Sequence, residues 1–159
     1  ELERNSGEME IERKIEQAGI KLPETSKSDM IFVPVRQVGN CLFTSGQIPF
    51  ANGKPVATGK VGDEVSLEEA QEAARCCTVN MLGAMKAYLG DLDKVKRIVK
   101  IQVYVSSKTG FSEQHIVANA ASQLLYDIFG ELGKHVRTAV GVNQLPMDVP
   151  VEVEAIVEI

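Results

Sequence analysis

HVRTAVGVNQLPMDVPVEVEAIVEI, residues 135–159, is the stretch that decides the fold. Two runs in it, VRTAVGV and PVEVEAIVEI, alternate with period two, the spacing of side chains on the two sides of a β-strand, and NQLPMD joins them. In the final run Val151, Val153, Ala155 and Val157 share one side, while Glu152, Glu154, Ile156 and Glu158 share the other. In the run before it Val140 and Val142 oppose Arg137, Ala139 and Gly141. Setting every valine against one core fixes the register, because a slip of one residue would bury three glutamates. It also predicts that Arg137 and Glu152 emerge together on the side away from the helices.

An arginine at the head of so small and apolar a strand needs a reason, since a guanidinium cannot shed its charge and is almost never buried unpaired. A cross-strand salt bridge to Glu152 on a wet sheet face is one. Ala139 and Gly141 are too small to cover a sheet, however, and Ile156 and Leu42 are placed on the same side and are apolar. Small residues, scattered aliphatics and isolated charges suit a subunit interface or a pocket floor.

Upstream, the pattern alternates between strand and helix. SLEE at 66–69 is a capping box, with the Ser66 hydroxyl at the N-cap and Glu69 three residues on. The apolar stripe Ala70, Ala73, Ala74, Cys77, Met81, Ala84, Met85, Tyr88 continues from it to Gly90. VKRIVKIQVYVSS then reads as a strand with Ile101, Val103 and Val105 on its buried side. A second helix from about Ser112 carries Ile116, Ala120, Leu124 and Ile128 four apart, widened by Val117, Ala121 and Leu125, and ends at Gly130 or Gly133.

Before Ser66, IFVPV and CLFTSGQI flank Gly39-Asn40 as a hairpin, ANGK (51–54) is a further turn, and residues 55–65 are loop. MEIERKIEQAG predicts a short helix with Ile11, Ile15 and Ala18 at helical spacing, stopped by Gly19 and followed by an extended lead-in to residue 30. Residues 1–8, ELERNSGE, are patternless and polar and read as a cloning remnant. The plan is therefore α+β, one domain over 31–159 with two helices on one face of a sheet, preceded by a helix and lead-in over 9–30.

At 159 residues and 44% hydrophobic content, the chain can bury one substantial core. A net charge of −5 repels phosphate backbones and anionic membranes. The basic run Lys94, Lys96, Arg97, Lys100 is read as a solvated edge or an RNA contact, and 5% aromatics without tryptophan argue against a base-stacking surface. Nucleic acid is not an expected partner.

Cys41, Cys76 and Cys77 form no disulfide framework, and with His115 and His135 they make no zinc spacing, so no metal is expected. No stretch approaches the roughly 18 to 20 apolar residues that span a bilayer. The expected setting is cytoplasmic.

TSGQIP at 44–49, the capping-box helix, the strand IVKIQVYV and RTAVGVNQLPMDVPVEVEAIVEI together resemble the reactive intermediate deaminase family, also called YjgF/YER057c/UK114 or L-PSP, from about Ile31 to Ile159. The lead-in is similar to that of a subgroup with a longer N-terminus. The resemblance implies a chorismate-mutase-like fold with a mixed sheet, assembled as a homotrimer with small-molecule clefts between subunits. It implies cofactor-independent hydrolysis of small enamino or imino acids, of the 2-aminoacrylate type, to 2-oxo acids and ammonia.

By the same resemblance Arg137 holds the substrate carboxylate and Glu152 orients or deprotonates water. Gly46, Gln47 and Ala139 contact substrate, largely through main chain. Asn119 is either a cleft residue or a polar helix position bonded to a nearby loop. The chain departs from the pattern at Phe32, which has no hydroxyl where relatives have a tyrosine, and at Ala139, where many have cysteine. The alternative reading is a non-catalytic module that senses a small carboxylate in the same cleft.

Overall fold

The computed structural model describes residues 9–24 and 29–159; the segment read as a cloning remnant lies outside them. In chain order come α1 (Glu10–Gln17), β1 (Val35–Val38), β2 (Cys41–Thr44), β3 (Phe50–Ala51), β4 (Lys54–Pro55) and α2 (Leu67–Leu89). They are followed by β5 (Arg97–Ser106), α3 (Gln114–Phe129), β6 (Val136–Val142) and β7 (Val151–Glu158). Five strands make one mixed sheet in the order β1-β2-β7-β5-β6, in which β5 and β6 are parallel and the other pairs antiparallel. β3 and β4 form a separate hairpin through Asn52-Gly53.

The α+β expectation holds, with α2 lying over β7, β2 and β1, and α3 over β5 and β6, on the same face. Ser66 caps α2 reciprocally with Glu69, as its sequence demands, and the helix ends at Gly90 with φ of 78°. The core between layers is aliphatic: Met81, Leu82 and Met85 from α2, Leu124, Leu125 and Ile128 from α3, and Ile101, Val103, Val151 and Val153 from the sheet, all essentially excluded from solvent. Ala18 and Tyr88, placed in apolar stripes by spacing, are exposed at their helix ends.

The N-terminal helix forms as expected and buries Ile15. Its N-cap, Met9, offers no side-chain bond; instead the Asp93 carboxylate accepts from the backbone N–H groups of Glu10 (2.9 Å) and Ile11 (2.8 Å). Two of the orphan donors at a helix start are thus satisfied from the turn before β5. Glu12 pairs with Lys86 of α2 at 2.5 Å, so the lead-in is fastened to the helical layer.

Three expectations are corrected. Ile31, Phe32 and Val33 are outside the sheet, and β1 begins at Val35. Pro34 has no N–H for a ladder, and Ser45 holds the carbonyls of Val33 and Pro34 instead, at 2.6 and 2.8 Å. α3 begins at Gln114, two residues after Ser112.

The third correction is the largest. Arg137, Ala139 and Gly141 lie beside Ile101, Val103 and Val105, which in turn face Ala155, Val153 and Val151. Arg137 is therefore on the helix-bearing face and Glu152 on the open one. Leu42 pairs with Val157 and is likewise in the core, leaving Phe43 beside Ile156 on the open side.

β6 is an edge strand that α3 covers in part, leaving Arg137 and Ala139 half-buried and Gly141 exposed. A Cβ added at Gly141 would lie 2.8 Å from Gln114 Nε2, so a side chain there would have to displace that amide, while the arginine reaches out along the helix. The bulkier Val136 and Val140 turn to the open face, where they are 64% and 41% exposed.

Candidate active site

At the α3–β6 edge three groups on one stripe of α3, the carbonyl of His115 and the side chains of Asn119 and Ser122, face Arg137; their spacings of four and three residues put them on one side of the helix. Arg137 Nη1 donates to Asn119 Oδ1 at 2.9 Å and to Ser122 Oγ at 3.1 Å, and Nη2 donates to the His115 carbonyl at 3.4 Å. All three acceptors are neutral, and among the described residues no carboxylate pairs with this arginine. Of its five N–H donors, Nε–H and one on Nη2 are left for a ligand. Ala139, two residues along on the same side, is half-buried against the core.

Ser122 has a second partner. His135 Nε2 lies 2.9 Å from Ser122 Oγ, and His135 Nδ1 lies 2.7 Å from the Gly133 carbonyl. Neither Ser122 nor His135 was singled out from sequence for this role. The signal was available, because residues 135, 137, 139 and 141 share one side by the period-two rule and Ser122 is one helical step from Asn119.

Glu152 is half-buried on the open face, beside Tyr104 of β5. Gln47 bridges to the backbone of Val153, with N–H···O bonds of 2.8 and 3.0 Å, and this brings Gly46 directly over the Glu152 side chain. A Cβ at position 46 would lie 2.8 Å from the Glu152 carboxyl carbon, so only glycine leaves the carboxyl in place. Burial, reinforced by the neighbouring Glu154, raises the Glu152 pKa above its ordinary 4.5. Glu154 differs: it accepts from the Tyr104 hydroxyl at 2.6 Å, which pushes that phenol up to about 12. No hydrogen bond holds Glu152 among the described residues. Gly46, Gln47 and Glu152 open into a groove of about 1530 Å³, which Phe32, 55% exposed, also lines.

The predicted site residues thus form two groups, Arg137 with Asn119 and Ala139, and Glu152 with Gly46, Gln47 and Phe32. They do not meet within one chain. By register Arg137 is level with Ala155. Glu152 is about 10 Å away across two strand spacings, about 10 Å further along the strand, and on the opposite face. Among the described residues no cluster of three or more His, Cys, Asp or Glu could hold a metal ion.

A mixed sheet with helices on one face, an arginine with donors to spare and a carboxyl of raised pKa mark out a small α+β domain. Residues 12–158 match the model of the family described as "YjgF/chorismate mutase-like, putative endoribonuclease", and the chain belongs to that family. Protein TCP17 of Trypanosoma cruzi is 43% identical over 150 residues, 94% of each chain. The crystal structure of protein Atu1372, of unknown function, from Agrobacterium tumefaciens is 44% identical, with a TM-score of 0.87 over 94% of this chain and 92% of that one. A structure described as a putative endoribonuclease from Shewanella oneidensis is 30% identical, with a TM-score of 0.89 over 94% and 99%. The family and the chorismate-mutase-like fold are thereby shown, and among the described residues no helix is long and apolar enough to cross a membrane.

Proposed function

We propose that the protein is a hydrolytic deaminase of small 2-imino and enamino acids, acting as a homotrimer whose clefts each take Arg137 from one copy and Glu152 from another. The observation that carries this reading is Arg137: a permanent cation oriented by three neutral acceptors, with two donors open and no carboxylate partner among the described residues. A ligand carboxylate accepts both donors and neutralises the charge. The separation of the two groups supports assembly, since a 2-imino acid is far too short to span them in one chain. So does the open face, where Phe43, Val136 and Val140 are exposed apolar residues on a sheet surface that a second copy would cover.

The chemistry follows from these groups. 2-Aminoacrylate tautomerises to its imine, and Arg137 holds the carboxylate so that C2 faces the neighbouring copy's Glu152. Water adds to C2 as Glu152 takes its proton, giving a tetrahedral carbinolamine. Glu152 passes that proton to nitrogen, then takes the carbinolamine hydroxyl proton and delivers it to the amine, so that the C2–N bond breaks and ammonia leaves as C2=O forms. A carboxyl that both accepts and returns a proton is served by a pKa raised toward neutrality. Phe32, Gly46, Gln47 and the main chain at Ala139 wall the substrate, and Asn119 acts by holding Arg137. The net charge of −5 opposes ribonucleolytic binding of a phosphate backbone.

Freshly generated 2-aminoacrylate, trapped as the semicarbazone of its product, is expected to be consumed faster with protein than in buffer. Arg137→Ala is expected to lower that rate by roughly 100-fold, the loss of a two-donor charge-assisted clamp, with assembly intact. No acceleration by the wild type would overturn the deaminase. Saturable binding of 2-oxobutyrate in that event would leave a carboxylate-sensing module.

A further inference from the structure

The geometry points to Ser122 and His135 as positioning residues for Arg137, a relay running from the Gly133 carbonyl through the imidazole and the hydroxyl to the guanidinium that fixes where its open donors aim. This deepens the carboxylate reading above and rests on it for its functional consequence.

The hydrogen-bond directions follow from what each atom can do. A carbonyl only accepts, so His135 Nδ1–H donates to Gly133 over 2.7 Å. In the neutral ring Nε2 must then accept, and the group 2.9 Å away is the Ser122 hydroxyl. With its hydrogen committed to the ring, Ser122 Oγ presents only lone pairs toward Arg137 Nη1, 3.1 Å away. Bonds in series polarise one another in the same sense. Without the imidazole the serine hydroxyl is free to rotate and its lone pairs lose their fixed direction. Burial, with the Arg137 charge adding to it, keeps the ring below its ordinary pKa and so in the neutral form the relay requires.

Three of the four members lie where packing limits their movement. Gly133 is buried, and Ser122 and His135 are half-buried between the end of α3 and the start of β6. Asn119 supplies the other Nη1 acceptor directly and has no such support. Nη1 is therefore gripped by two acceptors, one of them braced from behind. The guanidinium cannot swing toward the strand end without breaking a chain of bonds, and this keeps Nε–H and the free Nη2 hydrogen pointed in one direction.

The relay is tested in the full-length protein by NMR of arginine side chains labelled with ¹³C and ¹⁵N, with the Arg137 signal assigned from Arg137→Lys. Wild type is expected to show slow exchange between the Nη groups. His135→Ala and Ser122→Ala are each expected to speed that exchange about tenfold and to weaken 2-oxobutyrate binding by a similar factor, the effect of one lost hydrogen bond. His135→Gln, whose Oε1 can accept from Ser122, is expected to restore both to within about twofold of wild type. The glutamine rescue separates positioning from general damage to the fold.

Exchange and binding unchanged in both alanine variants, with wild type binding 2-oxobutyrate, would overturn the relay and leave the carboxylate site standing. Freed exchange in the alanine variants together with a wild type that binds no 2-oxobutyrate would support the relay and sink the carboxylate reading.

Discussion

At the α3–β6 edge Arg137 donates to three acceptors, whereas on the open face of β7 the Glu152 carboxyl has no hydrogen-bond partner among the described residues. The two groups differ because of what a charge requires in each place. A guanidinium keeps its charge everywhere, so its cost is reduced by surrounding it with oxygen atoms and leaving room for an anion. A half-buried carboxyl can instead take up a proton, and Gly46 leaves the space that lets it stay unpaired. On the proposed reading, one region holds the substrate and the other exchanges a proton. The sheet keeps them on opposite faces, so neither can serve the same small molecule without a second copy of the chain.

The sharpest way to break this comparison is to remove the second copy. Val140→Glu alters only an exposed residue of the single chain, yet on the proposed interface it buries a charge. Light scattering is expected to fall from three chain masses to one, with deaminase activity lost while the isolated chain stays folded. A folded variant that is still trimeric and active would show that the open face is not the interface.

A smaller effect is expected from Gly46→Ala. The new methyl displaces the Glu152 carboxyl, and turnover should fall roughly 10- to 100-fold, the usual range for a mispositioned acid–base group. Because Arg137 is untouched, 2-oxobutyrate affinity should move far less. Equal losses in both would mean that the two regions are not separable in function.

The smallest effect is on stability. A carboxyl whose folded pKa is raised contributes stability that is complete below its ordinary value of 4.5 and lost as pH rises through the folded value. Glu152→Gln should therefore match wild type in melting temperature near pH 4 and exceed it near pH 7, by less than about 1 kcal/mol because the group is partly solvated and screened. A glutamine variant less stable than wild type at pH 7 would show that Glu152 has a partner in the assembled protein.

Much of this was legible in the residues. The capping box at Ser66, the buried sides of β5 and β7, the turn at Gly39-Asn40 and the helical spacing in α3 follow from local chemistry, and each is where the pattern puts it. β6 was not legible. Apart from Thr138 and Arg137, its two sides, Val136, Val140 and Val142 against Ala139 and Gly141, are both apolar, so alternation fixes that sides exist without saying which is covered. The relay behind Arg137 was missed for a related reason, since Ser122 and His135 meet only because α3 doubles back over the strand that follows it.

The sequence by itself determined the elements, the family and the identity of the two charged groups, because capping, periodicity and the permanence of an arginine's charge are properties of residues and their near neighbours. Only the tertiary structure decided that those groups stand on opposite faces, because which side of an edge strand is inside depends on how the helix before it, α3, packs back over it. That packing is set across the sheet, and no stretch of β6 read alone contains it.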